Sequence, residues 1–169
     1  MADVAETIAV SSRRIGRHAW VESRLFETLG RWSGLVPDGR SRALFARQSQ
    51  HHAWHAGLWK DLLPALPHLP DSELIVPDEH DAEVVAGLDA LDGDDATAAS
   101  ARSTTARLAA VYGLVLPHLT TTYAVHLEHT TEVTDAPTRR VLRLVLADLA
   151  DDQAAGDALI ADLETADRA

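Results

Sequence analysis

The sequence predicts an all-α chain: four long amphipathic helices, with a long crossover between the second and third that contains one short extra helix. Three observations carry this. Apolar residues recur at the i, i+3, i+4 spacing of a helical face almost throughout, and strand-like alternation is absent. Proline, glycine and capping aspartate mark the breaks. A chain of 169 residues, 46% of them apolar, suits one domain over residues 1–169 with a sizeable core.

The first helix is expected over most of Asp3 to Trp32, with Ile8, Ser11, Ile15, Ala19, Glu22, Phe26 and Leu29 inward, before Gly34 and Pro37 break it. Asp38 can cap a second helix that runs to about Leu63, ahead of Pro64. Its inward face is Phe45, Gln48, His52, His55, Trp59 and Leu62. The stretch from Pro64 to His80 carries four prolines, yet is too rich in Leu, Ile and Val to read as disordered. A short helix follows from Glu79 to Leu91, with Val84, Val85, Leu88 and Leu91 on one face, and Asp92-Gly93-Asp94 ends it.

The third long helix is expected from Asp95 to about Thr130, with a stripe of Leu108, Val111, Val115, Leu119, Thr122, His126 and His129. Pro117 should kink it by removing a backbone hydrogen bond. Thr134-Asp135-Ala136-Pro137 reads as a cap followed by a helix start. The last helix then runs to about Ala166 on a stripe of Val141, Val145, Asp148, Asp152, Leu159 and Leu163. The long segment from Pro64 to Gly93 implies that the second and third long helices run parallel.

The net charge of −11, with a single lysine at Lys60, argues against nucleic acid, which needs clustered cations. No cysteine is present, so disulfides are impossible and any metal must be held by His, Asp, Glu or water. No apolar run is read as long enough to span a bilayer, so no membrane partner is expected. The N-terminus lacks a basic n-region, and a cytoplasmic protein is expected. A homo-oligomer or a partner protein is expected, with His51 and Trp54 on a side face of the second helix available for such packing.

Each long helix places a potential metal ligand near the middle of its inward stripe: Glu22, then His52 with His55, then His126 with His129, then Asp148 with Asp152. Burying such groups costs several kcal/mol unless they are paired or coordinated. His52 and His55 are helical neighbours and can reach one point. With carboxylates they suit Fe, Zn or Mn, and also Cu. Three readings are open. The first is a histidine-rich metal site, serving an oxidase, an oxygenase or metal handling. The second is a metal-free polar network in a scaffold for interaction or assembly. The third is a small-molecule pocket lined by Trp59 and Tyr123. His18, one turn before Glu22, is a possible partner for it.

In helix order and polar spacing the chain resembles the ferritin-like superfamily of di-iron carboxylate bundles, whose members carry one Glu on each of two helices and E-x-x-H on the other two. Glu22 matches the first single Glu. His52-Ala-Trp-His55 matches E-x-x-H with His52 in place of Glu, and Asp152-Gln-Ala-Ala155 matches it with Asp for Glu and Ala155 where the histidine belongs. Glu128 lies one position off the stripe of the third helix. The resemblance implies a ferritin-like four-helix bundle. The departures imply at most one ion per chain, held by Glu22, His52, His55 and either His126 or His129.

The charge argument is checked by chromatography: the protein should pass through heparin at neutral pH and low ionic strength, and salt-dependent retention would count against it.

Overall fold

The computed structural model describes residues 8–65, 68–92 and 100–166. The helix starts expected at Asp3 and Asp95, and the turn residues Gly93 and Asp94, lie outside these. Every regular element among the described residues is helical. Helix α1 spans Ile8–Leu35 and α2 spans Gly39–Lys60. The crossover contains α3, Asp71–Leu74, and α4, Glu79–Asp89, which tightens into a 3₁₀ turn at Ala90–Asp92. The third long helix is α5, Ser100–Ala110, a π-helical stretch at Val111–Val115, and α6, Leu116–Glu128. The last is α7, Ala136–Ala166.

The boundaries follow from local chemistry. Asp38 caps α2 by accepting from the Ser41 amide at 2.7 Å, and Asp78 caps α4 by accepting from the Asp81 amide at 2.8 Å. Before α7, Asp135 accepts from the Thr131 amide at 2.8 Å, which closes the turn, and Pro137 falls in the first helical turn where no N–H is needed. The expectation of one helix in the crossover is corrected: α3 is a second, a single turn started after Pro70, whose backbone is already extended.

Pro117 does not simply kink its helix. It sits in the first turn of α6, directly after the π-helical stretch. There the Leu116 amide bonds back to the Val111 carbonyl, five residues away, so the ladder is spread just where the proline has no N–H to give. Beyond it the inward face keeps ordinary helical spacing from Leu119. Tyr123, not Thr122, takes the core position, followed by His126. In α1, Phe26 faces outward and Leu25 takes its place in the core beside Leu29.

Paired residues give the helix directions. Trp32 meets Phe45 while Glu22 meets His52, so α1 and α2 are antiparallel. Arg40 meets Asp162 and His55 meets Asp148, so α2 and α7 are antiparallel. Gln48 meets Tyr112 and Trp59 meets Tyr123, so α2 and the third long helix run the same way. The crossover returns the chain along α1. Arg17, Arg24 and Arg31, each one heptad apart, pair with Asp78 and Asp81, with Asp89, and with Asp89 and Asp92. The exposed pairs among these contribute about 0–1 kcal/mol each, whereas Asp81 is buried and needs its Arg17 partner. The firmer attachment is steric and apolar: Leu74 is fully buried, and its carbonyl rests where a Cβ on Gly16 would stand.

The stretch Thr104–Glu128 is long and apolar enough to cross a membrane by length and composition alone, and 39% of its most apolar window is buried. This corrects the expectation that no run reaches that length. The cause is that its core-facing residues are interleaved with exposed Leu114 and Val125 and with uncharged Thr, Gly and Pro.

Two glycines should respond oppositely to alanine. In Gly16→Ala the new Cβ would lie 2.2 Å from the Leu74 carbonyl oxygen, and backbone yields poorly. A net loss of about 1–3 kcal/mol is expected despite better helix propensity. A Cβ at Gly57 meets nothing within 4 Å. Gly57→Ala should stabilise by about 0.5–1 kcal/mol. Urea unfolding midpoints read both signs.

Candidate metal centre

The α2 positions Gln48, His52, His55 and Trp59 are buried at one-turn intervals, and α1 brings His18 and Glu22 against them. From the third long helix come Tyr123 and His126. These side chains sort into three clusters rather than one.

The first cluster is centred on Glu22, which is fully buried. Its Oε1 accepts from the Tyr123 hydroxyl at 2.6 Å, and its Oε2 accepts from His52 Nδ1 at 2.5 Å. His55 Nδ1 stands 3.5 Å from the same Oε2. On its far side, His55 Nε2 donates to Asp148 Oδ2 at 3.0 Å. One ligand atom from each of Glu22, His52 and His55 lies within 4.8 Å of the others, and this is the group among the described residues that can hold a metal ion. His52 Nε2 and His55 Nδ1 are buried without a hydrogen-bond partner.

Burial opposes ionisation of Glu22, but His52, by its charge and its hydrogen bond, and then the nearby His55 ring outweigh it and hold the carboxyl well below the carboxylate range. His55 is likewise opposed by burial, yet Glu22 and then Asp148 hold it above the ordinary histidine value. Burial and Glu22 together push the Tyr123 phenol well above its usual range, so it remains a donor. Two imidazoles and a carboxylate, enclosed and with ring nitrogens to spare, can bind a divalent transition ion and leave it an open coordination position.

The second cluster is His18 Nε2 against His126 Nδ1 at 3.0 Å, with the His18 ring packed on Trp59 and edge-on to Tyr123. Burial first, then His126 and Arg17, pushes His18 well below the ordinary value; burial and Arg14 push His126 down to about 4. The third cluster surrounds Asp152. His51 Nδ1 donates to its Oδ2 at 2.9 Å, Gln48 Nε2 donates to its backbone oxygen at 3.2 Å, and the Tyr112 hydroxyl donates to Gln48 Oε1 at 2.6 Å.

Of the seven residues expected as ligands, Glu22, His52 and His55 come together. The other four lie apart from them. His126 is taken by His18. His129 is exposed where α6 ends, with its ring on the Val125 carbonyl at 2.7 Å. Asp152 is buried but answers His51. Asp148 lies at the α2–α7 boundary, 30% exposed, and touches the far nitrogen of His55. Trp59 and Tyr123, expected to line a pocket, are fully buried and packed on each other. An open groove of about 460 Å³ lies elsewhere, lined by Arg40, Ala43, Leu44, Arg47, Ala155 and Leu159.

Sequence spacing missed three members of these clusters. Tyr123 reads as a pocket-lining ring beside the stripe, where Thr122 takes the inward place by count, and its role as a donor to Glu22 is not in the spacing. His18 was visible one turn before Glu22, but its partner is His126. His51 reads as a side-face residue, and the approach of α7 is what gives it Asp152. Comparison with family models, with curated proteins and with solved structures finds no match.

The His18–His126 pair sets an acid limit on stability. Its members are held neutral in the folded chain, whereas the unfolded chain protonates near 6.5. Their contribution is complete above that pH and is lost as pH falls from 6.5 toward about 4. The loss from His126 should be about 3 kcal/mol. Urea midpoints across this range should fall steeply for the wild type and less steeply for His126→Asn; equal slopes would contradict the assignment.

Proposed function

We propose that this chain is a ferritin-like helical bundle that binds one divalent transition-metal ion per chain at Glu22, His52 and His55. The observation that carries the reading is the convergence of one carboxylate and two imidazoles from α1 and α2 at a point shielded from solvent. The antiparallel α1–α2 and α2–α7 pairs, the parallel sense of α2 and the third long helix, and the crossover between them support the ferritin-like assignment. The donor set favours Zn, Fe or Mn. With three protein ligands, such an ion would retain a position for water, oxygen or substrate, which suits metal handling or an oxidase or oxygenase. Bound metal would supply Lewis-acid or redox chemistry. The protein's own part is to hold the ligands, exclude water and keep the Tyr123 proton on the spare oxygen of Glu22.

One observation favours a second reading. The bonds from His52 and Tyr123 already occupy both oxygens of Glu22, so the cluster also works as a metal-free buried network in a scaffold for assembly or a partner protein.

Metal counting separates the two. Untagged protein is stripped with chelator, exposed to Zn²⁺ or Fe²⁺, freed of excess and analysed for ions per chain. The wild type should retain one ion and gain about 2.7 kcal/mol of stability at a free metal concentration 100-fold above its dissociation constant. Glu22→Gln and His52→Ala should bind at least roughly 100-fold more weakly. Two ions per chain would refute the single-ion site. No ion, with both variants destabilised, would establish the network reading instead.

A further inference from the structure

We infer that Asp148 is a positioning residue for the Glu22–His52–His55 site: it fixes the tautomer of His55 so that Nδ1 faces Glu22 with its lone pair free. The inference rests on the metal reading above and adds to it a residue that touches no metal. A carboxylate oxygen can only accept, so the 3.0 Å contact between Asp148 Oδ2 and His55 Nε2 requires the hydrogen to be on Nε2. In the neutral ring the other nitrogen is then the bare one. That nitrogen, Nδ1, is fully buried, has no hydrogen-bond partner and stands 3.5 Å from Glu22 Oε2. Two lone pairs facing each other across that distance in a dry site repel, and a cation between them removes the conflict, either a second proton on Nδ1 or, in its place, a metal ion. Imidazole ligands of metals commonly donate their second N–H to a carboxylate, which orients the ring and raises its basicity.

The register of α7 explains why Asp148 acts from outside. Val145, Leu149 and Asp152 point inward, while Asp148 is one residue off that stripe and 30% exposed. It reaches the outer edge of the His55 ring, which stands between it and Glu22. His52 provides the internal contrast. Its Nδ1 carries the hydrogen given to Glu22, and its Nε2 has no partner among the described residues. His55 is therefore the arm set in advance, and His52 the arm that must change tautomer to ligate through Nδ1. Tyr123 plays the matching part for the carboxylate by occupying Oε1, which leaves Oε2 toward the imidazoles.

The test uses the full chain and Zn²⁺. In Asp148→Ala, Zn²⁺ affinity measured by chelator competition should fall 10- to 100-fold, with the metal-free urea midpoint near that of the wild type, since Asp148 itself is 30% exposed and alanine favours helix. Asp148→Asn, which retains an acceptor oxygen, should recover part of the loss. Nitrogen-15 spectra of the metal-free imidazoles at alkaline pH should show His55 protonated on Nε2 in the wild type and a tautomer mixture in Asp148→Ala. Unchanged affinity in Asp148→Ala, with the wild type binding zinc, overturns the positioning role alone. So does a wild-type His55 protonated on Nδ1. A wild type that retains no zinc overturns the metal reading and this inference with it.

Discussion

A carboxylate sealed away from water has to be answered by the protein, and much of this fold is arranged around the answer to Glu22. Removing such a charge from solvent costs several kcal/mol unless hydrogen bonds and opposite charge replace the hydration shell. Here the replacement comes from two other helices: His52 and His55 on α2, and the Tyr123 hydroxyl on α6. Each bond has a reach of about 3 Å, so it constrains rotation as well as distance. Helices α1, α2 and α6 can satisfy Glu22 together only with their present faces inward. Apolar packing alone would tolerate a wider range of rotations.

The π-helical stretch at Val111–Val115 lies just ahead of the residues that answer Glu22, and Tyr123 and His126 continue the core face from Leu119 at ordinary helical spacing. Proline at 117 makes the spread turn cheap, because the position has no amide to satisfy. On α6 the phenol comes within 2.6 Å of Glu22 and the His126 ring lies against His18. The same segment carries Tyr112, whose ring fills the space where a Cβ on Gly156 would lie, and this lets α7 approach closely.

How much could be read from residues alone follows from these features. Helix class, capping by Asp38 and the turn before α7 depend on chemistry within a few residues, and they were readable. So was the trio Glu22, His52 and His55, because ionisable groups on an apolar stripe betray themselves by spacing. A helical count carries on to His129, one residue past the end of α6. It also treats Asp148 and Asp152 as equals, because a stripe does not tell a residue at its centre from one at its edge. Only the neighbouring helix does that: α2 meets Asp152 with His51 and meets Asp148 with the outer nitrogen of His55. The partner of His18 was hidden for a different reason, since it lies 108 positions away in the chain.

Helix α2 spends three histidines within five residues on two different neighbours: His52 on α1, His51 and His55 on α7. Rotation of α2 by a single residue, about 100°, would hand each imidazole to the wrong helix. The helix therefore acts as a keyed shaft, with its angular setting fixed by polar matching on both sides. In a divergent lineage, substitutions at this helix would be constrained as couples. A change at Glu22, Asp148 or Asp152 would be tolerated together with its own imidazole, and shifts of register in α2 would be barred altogether.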